Sequence, residues 1–408
     1  IKVFEKVNKL LSEGTANSAY TLTYGGMAEA VLKMCLGNDY GFRFENDLTM
    51  DDLFGYGYGS FLLELKKNCA EGKTIGFVTE QRLMEYKGKC IRTSELREIY
   101  ENRLEKVFPC NLPTDAANQA EMCDFSFAVK PEERKAPAVA HARPKVLIPV
   151  FPGTNCEYDS AKAVRDAGAE AKIMVIGNLT ADAIARSAEL ASSQIIFIPG
   201  GFSGGDEPDG SGKFITAFFR NAAIKEQVSA LLEKRDGLMC GICNGFQALI
   251  KLGLVPYGKI MDTDASCPTL TFNTIGRHQS RIVRTRIASN KSPWLSGTKV
   301  GEVYSVPISH GEGRFIADTA LARELAANGQ IATQYCDLEG HASADIAYNP
   351  NNSMYAIEGI TSPDGRVFGK MGHSERVGSG LYKNVPGEYE LGMFRNAVNY
   401  FKLYGEFA

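Results

Sequence analysis

Gly241-Ile242-Cys243-Asn244-Gly245 sets a nucleophilic side chain between two glycines, at the junction of an apolar run over residues 237–242 and a helical pattern over residues 245–252. A buried strand that breaks through such a residue into a helix is a nucleophile elbow. The turn is too sharp for larger neighbours, and it holds the side chain over the sheet edge. The helix N-terminus just beyond Cys243 is expected to favour its thiolate. The Asn244 N–H points where an oxyanion would form, and the Gly200-Gly201 turn of a neighbouring strand offers a second donor.

The rhythm on either side of the elbow fixes the fold class. Strands are expected over residues 145–150, 171–176, 194–198 and 237–242, with helices over 160–167, 180–190, 213–232 and 245–252. Strands alternating with helices of this length imply an α/β fold, a doubly wound and mostly parallel sheet covered on both faces. Ligands bind such sheets at the carboxyl ends of the strands, so the turns there are where chemistry is sought.

Upstream the pattern changes. Residues 1–110 mix helices (3–11, 26–36, 95–107) with a strand over 59–65 and a strand pair formed by 74–78 and 87–91, an α+β unit. Residues 111–143 are polar, alanine-rich and punctuated by proline, which reads as a linker, and 144–408 form the α/β domain. A chain of 408 residues exceeds one ordinary core. It begins at Ile1, without an initiator methionine, inside an amphipathic helical pattern, and is read as a piece of something longer.

Forty-five basic and 48 acidic residues, interspersed, give a net charge of −3. There is no basic stripe for nucleic acid, no polybasic membrane patch and no apolar run long enough to span a bilayer, so neither partner is expected and the location is expected to be cytoplasmic. Ten cysteines are too sparse and irregular for a disulfide framework.

Cys240 and Cys243 also form a C-x-x-C, the spacing of a redox pair or half a zinc site. No second C-x-x-C accompanies it, and Cys240 falls inside the strand, where cysteine is usually core filling, so no metal site is expected. Cys156 lacks a glycine elbow and is read as a loop residue lining the site. A cysteine nucleophile needs a base, and the base an orienting group. His141 lies in the linker, and His278 and His341 lie in polar stretches with no organised acid beside them. Two constellations remain, His310-Gly311-Glu312 and His373-Ser374-Glu375. Spacing alone does not choose between them; an apparent strand over 365–371, leading to His373, favours the second.

The sequence carries Phe151-Pro152-Gly153-Thr154-Asn155-Cys156-Glu157, Pro199-Gly200-Gly201-Phe202-Ser203, the elbow followed by Phe246-Gln247, His310-Gly311-Glu312-Gly313-Arg314-Phe315, Tyr348-Asn349-Pro350-Asn351 and Gly372-His373-Ser374-Glu375-Arg376. These six motifs in this order resemble the glutaminase domain of the phosphoribosylformylglycinamidine synthases, over residues from about 145 to 400. The resemblance implies a class I, flavodoxin-like glutamine amidotransferase fold. It also implies a catalytic triad of Cys243, His373 and Glu375. Gly201 and Asn244 would form the oxyanion hole, and Gly200, Phe202 and Gln247 would line the glutamine site. Asn155, Cys156, His310 and Glu312 become secondary site residues. Ser374 stands where the family usually has proline, and the loop Gly201-Phe202-Ser203-Gly204-Gly205-Asp206 differs from its commoner version.

Residues 1–110 resemble, less strongly, the C-terminal subdomain of an aminoimidazole-ribonucleotide-synthetase-like module, through Leu22-Thr23-Tyr24-Gly25-Gly26-Met27-Ala28-Glu29-Ala30 and Gly76-Phe77-Val78-Thr79. Tyr20 and Tyr24 occupy places where related modules carry aspartates, so this unit is not expected to be catalytic. Such a module directly before the glutaminase implies the large single-chain type of enzyme, of which this is a C-terminal portion. The implied partners are glutamine and the rest of the synthetase chain. No cofactor is expected on this portion, while ATP and Mg2+ are expected for the whole enzyme. Two other classes fit the elbow: another cysteine hydrolase or stress protein on a similar fold, and a non-catalytic glutaminase-like scaffold.

Overall fold

A computed structural model describes every residue except 67–68, 70–71, 110–111, 114–117, 120–121, 178–180, 204–211, 383–384 and 403–408, and leaves out the side chains of 181–185. The chain divides into two compact units, Ile1–Cys110 and Asn111–Ala408. No described helix is long and apolar enough to cross a membrane.

In the first unit, β1 (Ala16–Thr21) pairs antiparallel with a later strand, and β2 (Gly41–Phe44) begins a separate sheet. With β3 (Phe61–Leu65), β4 (Gly76–Thr79), β5 (Leu83–Tyr86) and β6 (Lys89–Arg92), the two sheets are β1-β3 and β4-β2-β5-β6. Helix Gly26–Leu36 closes a small core of Val31, Cys35, Phe42, Phe44, Leu48, Leu53 and Met84. The expected pairing of 74–78 with 87–91 is not made. β4 pairs instead with β2, and β6 with β5 through a tight hairpin at Lys87 and Gly88, both at positive φ. β2 and β5 are strands beyond those expected. The helix expected over 95–107 is α-helical at Thr93–Glu101 and then tightens to one 3-10 turn.

In the second unit the strands are β7 (Lys145–Val150), β8 (Glu170–Val175), β9 (Ile195–Ile198), β10 (Leu238–Ile242), β11 (Thr269–Phe272), β12 (Gln279–Ile287), β13 (Val303–His310), β14 (Glu312–Ile316), β15 (Ile331–Tyr335), β16 (Ile357–Thr361) and β17 (Val367–Lys370). Nine of them form one sheet, ordered β13-β12-β15-β16-β17-β10-β9-β7-β8. The run β8-β7-β9-β10-β17 is parallel and carries the 2-1-3-4-5 order of a flavodoxin-like sheet. β16, β15, β12 and β13 extend it antiparallel. The sheet is therefore mixed, with as many antiparallel as parallel pairings, rather than mostly parallel. The central strands β9 and β10 are buried at every position, as a parallel sheet covered on both faces demands.

The helical stretch expected over 213–232 is two helices, Lys213–Arg220 and Ala222–Lys234. Asn221 breaks it: its backbone leaves the helical region and its side chain caps the second helix by accepting from the Ala223 N–H at 3.1 Å. The polar segment expected as a linker lies within the second unit as a strap. Phe127 bridges to Ser289, and the Phe125 and Val129 N–H groups donate to the side chains of Gln334 and Asn290. Backbone groups make these anchors, and composition does not register them.

Candidate functional site

The elbow is built by close approach. A Cβ on Gly245 would lie 2.1 Å from the Ile198 carbonyl oxygen, and one on Gly241 would lie 2.5 Å from the Gly245 carbonyl carbon. Strand, turn and helix can meet only if both residues are glycine. Cys243 between them is held at φ 54° and ψ −108°, a conformation that side chains rarely take and that the packed strand and helix must maintain. Its N–H donates to the Lys370 carbonyl on β17 at 2.9 Å, and its thiol donates to the Ser309 carbonyl at 3.5 Å.

The turns after β7 and β9 come to the same point. Thr154 bridges to Gly201, and the Asn155 and Cys156 N–H groups both donate to the Gly200 carbonyl. From the position a Gly200 Cβ would take, His373 Cε1 is 2.7 Å away, Cys156 Sγ 3.2 Å and Cys243 Cβ 3.4 Å. Candidate nucleophile, candidate base and second thiol thus converge on one glycine at the switch point of the sheet.

His373 is buried and bonded through Nδ1 to Glu375 Oε1 at 2.6 Å. Its Nε2 is buried without a hydrogen-bond partner among the described residues. Burial alone would raise the Glu375 carboxyl. The His373 imidazole and the carboxylate's hydrogen bonds outweigh it and hold the group below the usual carboxylate range. Cys243 differs from expectation. Burial pushes its thiol well up, Cys156 and Glu375 push the same way, and the Asn244 N–H and Arg376 oppose them without prevailing. Desolvation outweighs the helix terminus, so the thiol needs the base.

Residues 143–401, more than half of the sequence, match the CobB/CobQ-like glutamine amidotransferase domain. The chain belongs to this family. As an amidotransferase it uses glutamine as amido donor. It is 37% identical over 279 residues to the phosphoribosylformylglycinamidine synthase subunit PurQ of Methanococcus maripaludis, covering 63% of this chain and 97% of the relative. It is 35% identical over 231 residues to the subunit of the same name from Symbiobacterium thermophilum, covering 56% of this chain and 86% of that one. A solved structure of PurLQS from Thermotoga maritima matches at 26% identity with a TM-score of 0.47, covering 64% of this chain and all of that one.

In the amidotransferase, the side chains of Asn244 and Gln247 act as ties. Asn244 Oδ1 accepts from the Ser203 N–H and hydroxyl, and its amide donates to Gln247 Oε1. Gln247 Nε2 in turn donates to the Glu312 carbonyl at 2.6 Å. The glycine turn, the elbow helix and the 310–315 segment are locked in register by this chain. Gln247 is buried with both ends of its amide engaged by the protein, which ties the elbow helix to the 310–315 segment. Phe202 is partly exposed at the rim, its ring 5.9 Å from that of His278. Gly204, Gly205 and Asp206 lie outside the described residues.

Cys156 is the middle of a second chain: Arg376 Nη2 donates to its sulfur at 3.1 Å, and its thiol donates to Asn155 Oδ1 at 3.1 Å. Burial pushes this thiol up to about 11, and Glu375 adds to it against the pull of Arg376. With His373 and Glu375, Cys156 forms a group whose spacing would accept a metal ion. Cys240 is fully buried in β10, the burial of a core-filling side chain.

His310 is not bonded to Glu312. Its Nδ1 faces Asn273 Oδ1 at 3.2 Å, and Asn273 spends its amide hydrogens on the Arg277 and His310 carbonyls. The Asn273 oxygen must therefore accept, which places the His310 proton on Nδ1. Burial, then the nearby His373 and His278, push the imidazole down to about 3. A histidine whose native value lies below its unfolded one makes the unfolded chain the better proton binder between the two. Stability is expected to fall below about pH 6.5, by roughly 1.4 kcal/mol per pH unit from this residue. Denaturant titrations of wild type and His310→Gln from about pH 4 to 7 would show it as a shallower slope in the variant. A His310 NMR resonance titrating near neutral pH would contradict it.

In the Tyr348-Asn349-Pro350-Asn351 motif, Asn349 donates to the Ser353 carbonyl at 2.9 Å and Asn351 to the Gly313 carbonyl at 2.7 Å. Other contacts lie beyond the expected ones. His341 does have an acid beside it: Asp124, from the strap, lies 2.8 Å from its Nδ1. Ser374 accepts from Lys370 Nζ at 3.0 Å. Lysine inside an apolar strand was the available signal for that contact.

Proposed function

We propose that this chain is the glutaminase part of a phosphoribosylformylglycinamidine synthase, an enzyme of de novo purine biosynthesis. The observation that carries the reading is the glycine elbow of Cys243 beside the buried His373–Glu375 pair, in a chain that spans 97% of a PurQ subunit. His373 Nε2 takes the Cys243 proton as the sulfur attacks the side-chain amide carbon of glutamine. The Gly201 and Asn244 N–H groups hold the resulting oxyanion. His373 returns the proton to the amide nitrogen, the C–N bond breaks, and ammonia leaves a γ-glutamyl thioester on Cys243. His373, oriented by Glu375, then takes a proton from water, whose oxygen displaces the sulfur to release glutamate.

In this proposal ammonia passes to the rest of the synthetase chain, where formylglycinamide ribonucleotide is aminated at the expense of ATP. Residues 1–110 are the C-terminal subdomain of an aminoimidazole-ribonucleotide-synthetase-like module in the same reading. Among the described residues, the one cluster spaced for a metal ion, Cys156, His373 and Glu375, offers a single carboxylate beside a thiol and an imidazole, a donor set unlike the all-oxygen shell that Mg2+ takes. In this proposal the ATP step belongs to the remaining synthetase sequence.

The test supplies glutamine labelled with 15N in its side-chain amide, together with that remaining portion, ATP, Mg2+ and formylglycinamide ribonucleotide. The label is expected in the amidine product. Glutamate release without label transfer would overturn the assignment of the acceptor, and absence of both glutamate and a trapped thioester would leave a scaffold.

A further inference from the structure

Lys370 and Glu358 form an ion pair 3.3 Å apart in which neither side chain exceeds 1% exposure. Burying two charges is expensive, and an apolar pair of the same volume often serves stability as well or better. What the pair does with its hydrogen bonds is therefore informative. Lys370 Nζ has three protons. Besides the Glu358 carboxylate they reach the Gly372 carbonyl at 3.0 Å and the Ser374 hydroxyl at 3.0 Å. Glu358 Oε1 accepts from the Gly372 N–H at 2.6 Å, and Oε2 accepts from the Thr333 hydroxyl at 2.5 Å. The Met371 N–H donates to the Glu358 carbonyl at 3.2 Å. Every residue bonded from β17 onward belongs to the turn that carries His373.

Lys370 also reaches the other half of the site. Its backbone carbonyl accepts the Cys243 N–H at 2.9 Å. The carbonyl and the ammonium of one residue thus hold the main chain of the nucleophile and the turn of the base. Lys370 is the last residue of β17, beside β10, and Glu358 lies on the next strand, β16, where Gly359 is in register with Lys370. The brace spans three adjacent strands across the junction where the parallel half of the sheet meets the antiparallel extension.

We propose that Lys370 and Glu358 are positioning residues of the glutaminase reaction: the buried pair fixes the 372–374 turn so that His373 meets Cys243 in the reactive geometry. This rests on the glutaminase reading above. The His373 N–H is also tied to the Pro307 carbonyl at 2.9 Å, which leaves residues 372 and 374 on either side to the buried pair. About 1 Å of misplacement at a reacting pair costs on the order of 100-fold in rate.

The experiment uses the full 408-residue chain and compares wild type, Lys370→Met, Glu358→Gln and the double variant Lys370→Met/Glu358→Leu. Thermal unfolding, kcat and KM for glutamine, and the pH dependence of Cys243 alkylation by iodoacetamide are measured on each. Lys370→Met is expected to lower kcat by about 100-fold, to change KM less than about threefold, and to slow alkylation near neutral pH. The double variant, which leaves no unpaired charge, is expected to regain wild-type unfolding temperature while kcat stays low. Recovery of both would make the pair a purely structural element and overturn the proposal, as would a Lys370→Met kcat within about threefold of wild type. Should Lys370→Met not fold, Ser374→Ala removes one acceptor of Nζ; a kcat fall of about fivefold supports the brace and an unchanged kcat overturns it. A wild-type chain that neither turns over glutamine nor alkylates at Cys243 is a failure of the glutaminase reading, distinct from any result confined to the variants.

Discussion

Cys243→Ala is expected to abolish glutamate release, a loss on the order of a million-fold, because removing a nucleophile removes the covalent route rather than weakening it. Cys240→Ala and Cys156→Ala separate this from a general effect of losing a thiol. Cys240 is enclosed in β10, so its variant loses packing and retains turnover. Cys156 touches Arg376 and Asn155 but has no elbow, so its variant disturbs the surroundings of His373 and keeps the thioester chemistry. A glutamine-mimicking alkylator followed by peptide mapping gives the same answer without turnover: the label belongs on Cys243. Its location on Cys156, or glutamate release persisting in Cys243→Ala, would end the nucleophile assignment. The raised thiol sharpens the expectation. Burial keeps Cys243 protonated, so labelling should depend on His373 and should collapse when that imidazole is removed.

The parts of this site that could be read in advance are those imposed by local geometry. Gly241 and Gly245 are required by contacts within two residues of Cys243 or with the adjacent strand, so their pattern survives in the sequence as a motif. The parallel strands were legible because helices separate them and their burial on both faces makes each a continuous apolar run. The antiparallel extension was not. β12 runs from half-buried and exposed positions to fully buried ones without a regular alternation, and only a short 3-10 turn lies between it and β13, so neither period announces a strand of the main sheet. Lys370 and Glu358 each look like a fault in an apolar strand, Val367-Phe368-Gly369-Lys370 and Ile357-Glu358-Gly359-Ile360. Two opposite faults twelve residues apart are a partnership only when the strands lie side by side. The direction of the Cys243 shift was missed for a related reason: a helix terminus is visible in sequence, and desolvation by the surrounding layers is not.

Glu375→Gln should cost about 10,000-fold in kcat while leaving KM for glutamine nearly unchanged. The carboxylate accepts from His373 Nδ1 at 2.6 Å, which keeps the proton on that nitrogen and leaves Nε2 as the base. An amide at the same place can instead donate to Nδ1, moving the proton to Nε2, where it blocks the transfer from Cys243. The side chain's volume is preserved and the turn is held separately by Lys370, so substrate binding has little reason to change. The variant should also respond differently to acid. Glu375 is held below its ordinary carboxylate value in the folded chain, so its contribution to stability is present above the unfolded value of 4.5 and disappears as pH falls through the lower native value. Glutamine at this position has no such loss, and its unfolding midpoint should change less than that of wild type between about pH 5 and 3. Retention of more than about a tenth of wild-type kcat would show that another group orients the base, and Glu312, joined through its backbone to Gln247, would become the next carboxylate to test.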